Sequence, residues 1–154
     1  MGNTLSIKDK TNLINYNIWS GTDYLKNTTG TSTSPTIQLS SSTDWSYNSD
    51  RSLKITGTVE SYAVTVLGEI LDIETDAQMT GTIHILNNSS FNAQLRFHEV
   101  EGNVYNTVEI PSNPNSQEIT VTRTKTSNAK TVQLNLILRN PSSVYVDDVS
   151  FTIQ

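Results

Sequence analysis

Segment after segment of this chain alternates apolar and polar residues with a period of two, and clusters of turn-forming residues separate the segments. The runs are "SLKITGTV" (52–59), "YAVTVLGEILDI" (62–73), "MTGTIHIL" (79–86), "NAQLRFHEV" (92–100), "YNTVEIP" (105–111), "EITVTRT" (118–124), "TVQLNLILR" (131–139) and "VYVDDVSFTIQ" (144–154). Side chains of a strand point alternately to opposite faces, so this period marks half-buried strands, whereas an amphipathic helix needs 3.6. "NNSS", "EGN", "PSNPNS", "TSNAK" and "NPSS" punctuate them. No stretch of helical length holds a 3.6 period, although a short helical turn near 13–20 fits. "KNTTGTSTSPT" (26–36) reads as a long polar loop inside the same domain.

Evenly spaced strands with polar turns predict an all-β chain, a jelly-roll β-sandwich of two antiparallel sheets. Ser, Thr and Asn make up more than a third of the residues, which suits strands with polar outer faces. At 154 residues one domain with a sizeable core is expected. It is placed over 11–154, behind a flexible or cloning-derived start at 1–10. The net charge of −5 argues against nucleic acid or an anionic membrane as partner. Cysteine is absent, so neither disulfides nor thiolate metal sites hold the fold.

Catalysis finds little support. "EILDIE" (69–74) approaches the E-x-D-x-E pattern of jelly-roll glucanases, but such carboxylates must share one face. Strict alternation puts Glu69 on one face and Asp72 with Glu74 on the other. His84 and His98 sit in no metal or Ser-His-Asp spacing. The chain reads as a non-enzyme.

Binding fits better. In 92–100, Ala93, Leu95 and Phe97 face one way, and Asn92, Gln94, Arg96 and His98 the other. In 131–139 the apolar set is Val132, Leu134, Leu136 and Leu138, with Gln133, Asn135 and Arg139 opposite. A sheet carrying these strands presents planar polar groups able to bond paired sugar hydroxyls. Sugars also want an aromatic plane under their C–H face. Trp45, Tyr47 and Tyr105 are the loop aromatics placed to supply it, with Trp45 expected near Gln94, Arg96 and His98.

The closing run poses a separate question. Strict alternation sets Asp147 on one face with Tyr145, Val149, Phe151 and Ile153, and a carboxylate on a core face is costly unless paired. Backbone N–H donors from the N-terminal segment, with no metal, are one solution.

"TNLINYNIWSGTDYL" (11–25), "SLKITGT" (52–58) and "VYVDDVSFTI" (144–153), in that order, resemble carbohydrate-binding modules of the cellulose- and xylan-binding jelly-roll type. The family outline is an opening "NLI/NLL…F…SG", a middle "SLKV" and a final "DDVSL". The opening usually carries an acid beside its Phe, where this chain has Asn17 and Trp19. The same modules occur in tail and baseplate proteins of phages that infect Gram-positive bacteria. The resemblance implies a structural calcium, with Asp147 as carboxylate ligand and Asn48 and Asp50 completing an oxygen shell. It also implies non-catalytic recognition of a polysaccharide, foremost a bacterial cell-surface polymer bound by a phage adsorption module. That places the chain outside the cell or on a virion, within a larger parent protein. Two alternatives are a module targeting a glycoside hydrolase to its substrate and a structural spacer without ligand.

Overall fold

The computed structural model describes residues 29–30, 37–47, 52–57, 63–138, 140 and 142–153. The expectations placed on 1–10, on the helical turn near 13–20, on the motif at 11–25 and on Asn48 and Asp50 lie outside the described residues. Every regular element described is a strand: β1 (Thr29–Gly30), β2 (Ile37–Ser42), β3 (Ser52–Gly57), β4 (Ala63–Leu71), β5 (Gln78–Leu86), β6 (Ala93–Glu99), β7 (Val104–Ile110), β8 (Gln117–Thr124), β9 (Thr131–Leu138) and β10 (Ser142–Ile153). They build two antiparallel five-stranded sheets. Sheet I runs β1-β4-β9-β6-β7 and sheet II runs β2-β3-β10-β5-β8.

The sandwich matches the expected jelly roll, and β3 to β10 fall within a residue or two of the alternating segments. The first two strands were not anticipated. β1 lies inside the stretch read as loop, and β2, "IQLSSS", has only Ile37 and Leu39 to show a period. Its unbroken register with β3, from Ile37 opposite Gly57 to Ser42 opposite Ser52, is a backbone property that side-chain pattern does not report.

Inward positions of both sheets form one core. Leu53, Ile55, Ile83, Ile85, Val144, Val146 and Phe151 come from sheet II, and Leu95, Phe97, Val132, Leu134 and Leu136 from sheet I. Each such side chain contributes about 1.5–3 kcal/mol when fully buried. Phe97 and Phe151 meet edge to face with ring centroids 5.0 Å apart. Gly81 faces the same interior, where a Cβ would stand 2.7 Å from Leu134 Cδ1 and 3.1 Å from Phe97 Cζ. Gly81→Ala is therefore expected to cost about 1–3 kcal/mol by overpacking. Urea unfolding measures it, and an unchanged midpoint would show that the sheets are not that close.

β10 departs from strict alternation. Its register against β5 shifts between Asp147 and Ser150, and Asp148 takes a positive φ of 52°. The extra residue of this bulge reverses the parity of the strand. Val144 and Val146 face the core before it, and Val149, Phe151 and Ile153 after it. Tyr145 and Asp147 thus point out of sheet II, not inward as alternation alone places them.

Glu99 is the carboxylate that does face inward, in line with Ala93, Leu95 and Phe97, and it is fully buried. Arg123 Nε of β8 donates to its Oε2 at 2.6 Å, Ser127 Oγ to its Oε1 at 2.6 Å and Ser127 N at 2.8 Å. Thr126 N adds bonds of 3.1 and 3.2 Å. Burial works against the charge, but the Ser127 hydroxyl, Arg123 and the two backbone donors outweigh it and hold the pKa down at about 2. The cluster ties β6 of one sheet to β8 and its following loop in the other.

Candidate functional site

Outward residues of three adjacent strands make a polar face on sheet I. On β6, Gln94, Arg96 and His98 stand opposite Ile137, Asn135 and Gln133 of β9, and opposite Glu109, Thr107 and Tyr105 of β7. The predicted residues Gln94, Arg96, His98, Tyr105, Gln133 and Asn135 are therefore brought together by register alone. The Arg96 guanidinium lies 5.0 Å from the centroid of the Tyr105 ring. The His98 ring meets Tyr105 edge-on, with centroids 5.9 Å apart. Tyr105 is half exposed, and Arg96 is nearly covered. Gln94 donates to Glu109, and Gln133 Nε2 donates to Glu69 Oε2 at 2.8 Å.

Two features set the chemistry of this face. Asn135 is fully buried, and neither its Nδ2 nor its Oδ1 has a hydrogen-bond partner. Such an orphaned amide costs about 1–3 kcal/mol unless water or a ligand satisfies it. The pKa of His98 is lowered from its ordinary value, mainly by burial and also by Arg96, against its bond to Asn103 and the charge of Glu101. At pH 7 its imidazole is neutral and acts as donor and acceptor, not as a cation.

Glu69 and Glu109 belong to this face and were not foreseen as part of it. Glu109 shares parity with Tyr105 in "YNTVE", which was a usable signal. Glu69 was weighed only as a catalytic candidate. The glucanase pattern itself does not form, because β4 ends at Leu71 and both Asp72, with φ 61°, and Glu74 are exposed in the turn beyond it.

Trp45 and Tyr47 lie elsewhere. Their loop crosses the outer face of sheet II, on the opposite side of the sandwich from Gln94, Arg96 and His98, so the expected joint platform does not exist. The Tyr47 ring stacks on His84 of β5, with centroids 3.6 Å apart and planes 12° from parallel. Trp45, two residues earlier, is half-buried. The same loop answers the question posed by Asp147. Tyr47 N donates to Asp147 Oδ2 at 2.7 Å and Asp148 N to Oδ1 at 2.8 Å. Both oxygens accept backbone N–H groups, one across a separation of 100 residues.

A calcium ion at this position needs several oxygens at once. Among the described residues no group of three or more His, Cys, Asp or Glu converges to hold a metal. Asp147 has the right donor chemistry, but the rest of the shell rests on Asn48 and Asp50.

This two-sheet arrangement, with a polar outer face on one sheet, is the fold of jelly-roll carbohydrate-binding modules. No family model matches the sequence, and no curated protein matches it. Solved structures do. The enzymatically active domain of tailspike protein 4 of bacteriophage CBA120 superposes with a TM-score of 0.69 at 14% identity, over 99% of this chain and 21% of that one. The CBM22-1 xylan-binding domain of Paenibacillus barcinonensis Xyn10C gives 0.56 at 9% identity, over 82% of this chain and 85% of that one. The CBM22-1–GH10 modules of Clostridium thermocellum xylanase 10B give 0.55 at 14% identity, over 75% of this chain and 24% of that one. The chain thus spans about a fifth of the tailspike domain and a quarter of the xylanase modules.

Proposed function

We propose that this chain is a non-catalytic glycan-binding module whose ligand lies along the outer face of sheet I. The observation that carries this reading is the packing of Arg96 and His98 against the half-exposed ring of Tyr105, with Gln94 and Gln133 on the same face. The ring offers an apolar plane to a sugar's C–H face, and the planar amides and guanidinium bond its hydroxyls. Asn135 below them supplies an amide that a bridging water or a hydroxyl would satisfy. The ligand is a neutral or weakly acidic polysaccharide, since Glu69 and Glu109 share this face with the cation Arg96.

The biological setting follows as part of the same proposal: recognition of a bacterial cell-surface polysaccharide by a phage tail or baseplate protein, within a larger parent chain. The tailspike similarity over nearly the whole chain supports it. The xylanase similarities favour a second reading, a module that targets a secreted glycoside hydrolase to its substrate.

Titration with xylan, cellulose and β-1,3-glucan oligosaccharides, alongside adsorption to Gram-positive cell walls, separates these readings by ligand. Arg96→Ala and Tyr105→Ala are each expected to weaken binding about tenfold, corresponding to about 1.4 kcal/mol. Tyr105 is the cleaner probe, because its exposed side chain adds little to the core. Wild-type affinity in both variants would remove the site from sheet I, and a lack of binding to every glycan and cell wall would leave the spacer role.

A further inference from the structure

We propose a second glycan-contact site on the outer face of sheet II, built on Tyr47 and taking an uncharged pyranose unit. It is independent of the sheet I face and lies on the other side of the sandwich. Tyr47 is the large apolar side chain of this face that stays open to solvent, 52% exposed. Yet it is held on several sides. Its backbone N–H is anchored to the buried Asp147, and one face of its ring is laid on the His84 imidazole. That imidazole is itself positioned by Glu118, whose Oε2 lies 3.2 Å from Nε2, with Asp148 Oδ2 3.5 Å from Nδ1.

An exposed ring gains nothing for the core from such restraint. What restraint does supply is a plane already oriented before a partner arrives, which removes the ordering cost that a mobile ring would levy on binding. Half of Tyr47 is open to solvent, which gives the C–H face of a pyranose apolar ring surface to meet. Glu118 is 61% exposed and Asp148 35% exposed, so both have oxygens open to hydroxyl donors beside the ring.

Charge selects the class of sugar. Glu118 and Asp148 flank the His84 ring that carries Tyr47, Asp147 accepts the Tyr47 N–H, Asp44 accepts from the Tyr145 hydroxyl, and Lys54 is drawn over the Tyr145 ring, 5.5 Å from its centroid. Among the described residues this face therefore disfavours phosphate- and carboxylate-bearing polymers and suits hydroxyl-rich neutral ones. On the sheet I face the carboxylates Glu69 and Glu109 are offset in part by Arg96. A module with sites on opposite faces can engage two strands of a polymer, and the second contact gains from the first through effective concentration.

The test is backbone amide NMR of the isotope-labelled protein titrated with xylohexaose, cellohexaose, laminarihexaose and hexa-N-acetylchitohexaose. The expected result is that at least one probe shifts the amides of Tyr47, His84, Glu118 and Asp148. These shifts persist in Arg96→Ala and weaken at least about fivefold in Tyr47→Ala. Tyr47→Phe, which keeps the ring, stays within about twofold of wild type. Should Tyr47→Ala fail to fold, Glu118→Gln on the exposed carboxylate takes its place and is expected to weaken the same shifts. Absence of shifts at these amides with every probe overturns the site, as does their loss in Arg96→Ala. Failure of the sheet I reading is distinct: it leaves the amides of Gln94, His98 and Gln133 unmoved, whatever happens at Tyr47.

Discussion

Glu99→Gln lowers the unfolding free energy by roughly 3 kcal/mol at pH 7, the size that a pKa held near 2 against an ordinary 4.5 implies. The variant keeps the shape of the side chain but loses the charge that Arg123, Ser127 and Thr126 converge on. The pH dependence carries the sign. The folded pKa lies below the unfolded one, so the contribution is complete above about pH 4.5 and is lost as pH falls from there towards 2. Urea unfolding at pH 7, 4 and 2.5 should show the two proteins far apart at neutral pH and converging in acid. A constant gap across that range would mean that packing, not charge, holds Glu99. Equal stability at pH 7 would mean that the cluster contributes nothing.

Asp147→Ala is the second large expectation, a loss of roughly 3 kcal/mol. It strands two backbone donors, Tyr47 N and Asp148 N, each of which now has a carboxylate oxygen at hydrogen-bond distance. Unsatisfied donors at a mostly covered site cost about 1–3 kcal/mol apiece. Calcium shared between Asp147, Asp50 and Asn48 stands as a proposal alongside these bonds, and chelation tests it. A native-state ion at a hundredfold excess over its Kd adds about 2.7 kcal/mol. Under that proposal a chelator lowers the wild-type melting temperature, added calcium restores it, and Asp147→Ala responds to neither. A wild-type melting temperature unmoved by chelator would reject the ion and leave the two N–H bonds to compensate the charge.

These two carboxylates show where pattern reading succeeds and where it stops. Alternation brought out Ala93, Leu95 and Phe97 as inward residues, and the same count carried two residues further reaches Glu99. The inward acid is legible in "AQLRFHE" from that count alone. For Asp147 strict alternation fails at the bulge, which the apolar pattern does mark: the inward residues pass from Val144 and Val146 to Val149, Phe151 and Ile153, a change of parity whose position the positive φ of Asp148 fixes.

The site divides in the same way. Gln94, Arg96, His98, Gln133 and Asn135 were identifiable as outward on their own strands. Their union needed only that β6 and β9 be neighbours, which pairing order settled favourably. Loop aromatics carry no parity, so nothing in "TDWSYN" told which sheet Trp45 and Tyr47 would cross. The structure sent them to the far side from Arg96.

The order of strands has a consequence for how such a chain comes to be made. In each sheet the middle position is filled late: β9 slots between β4 and β6, and β10 between β3 and β5. A ribosome delivers β2 with β3, and β5 with β8, long before the strand that joins these pairs exists. Until β10 emerges, sheet II is two separate ribbons, each showing an unpaired edge where the other should be reached. Assembly must therefore wait for the last strand, in the slow regime set by distant pairings. A nascent chain stalled before Ser142 would expose two sticky edges, making the dozen residues of β10 the ones that complete sheet II among the described strands.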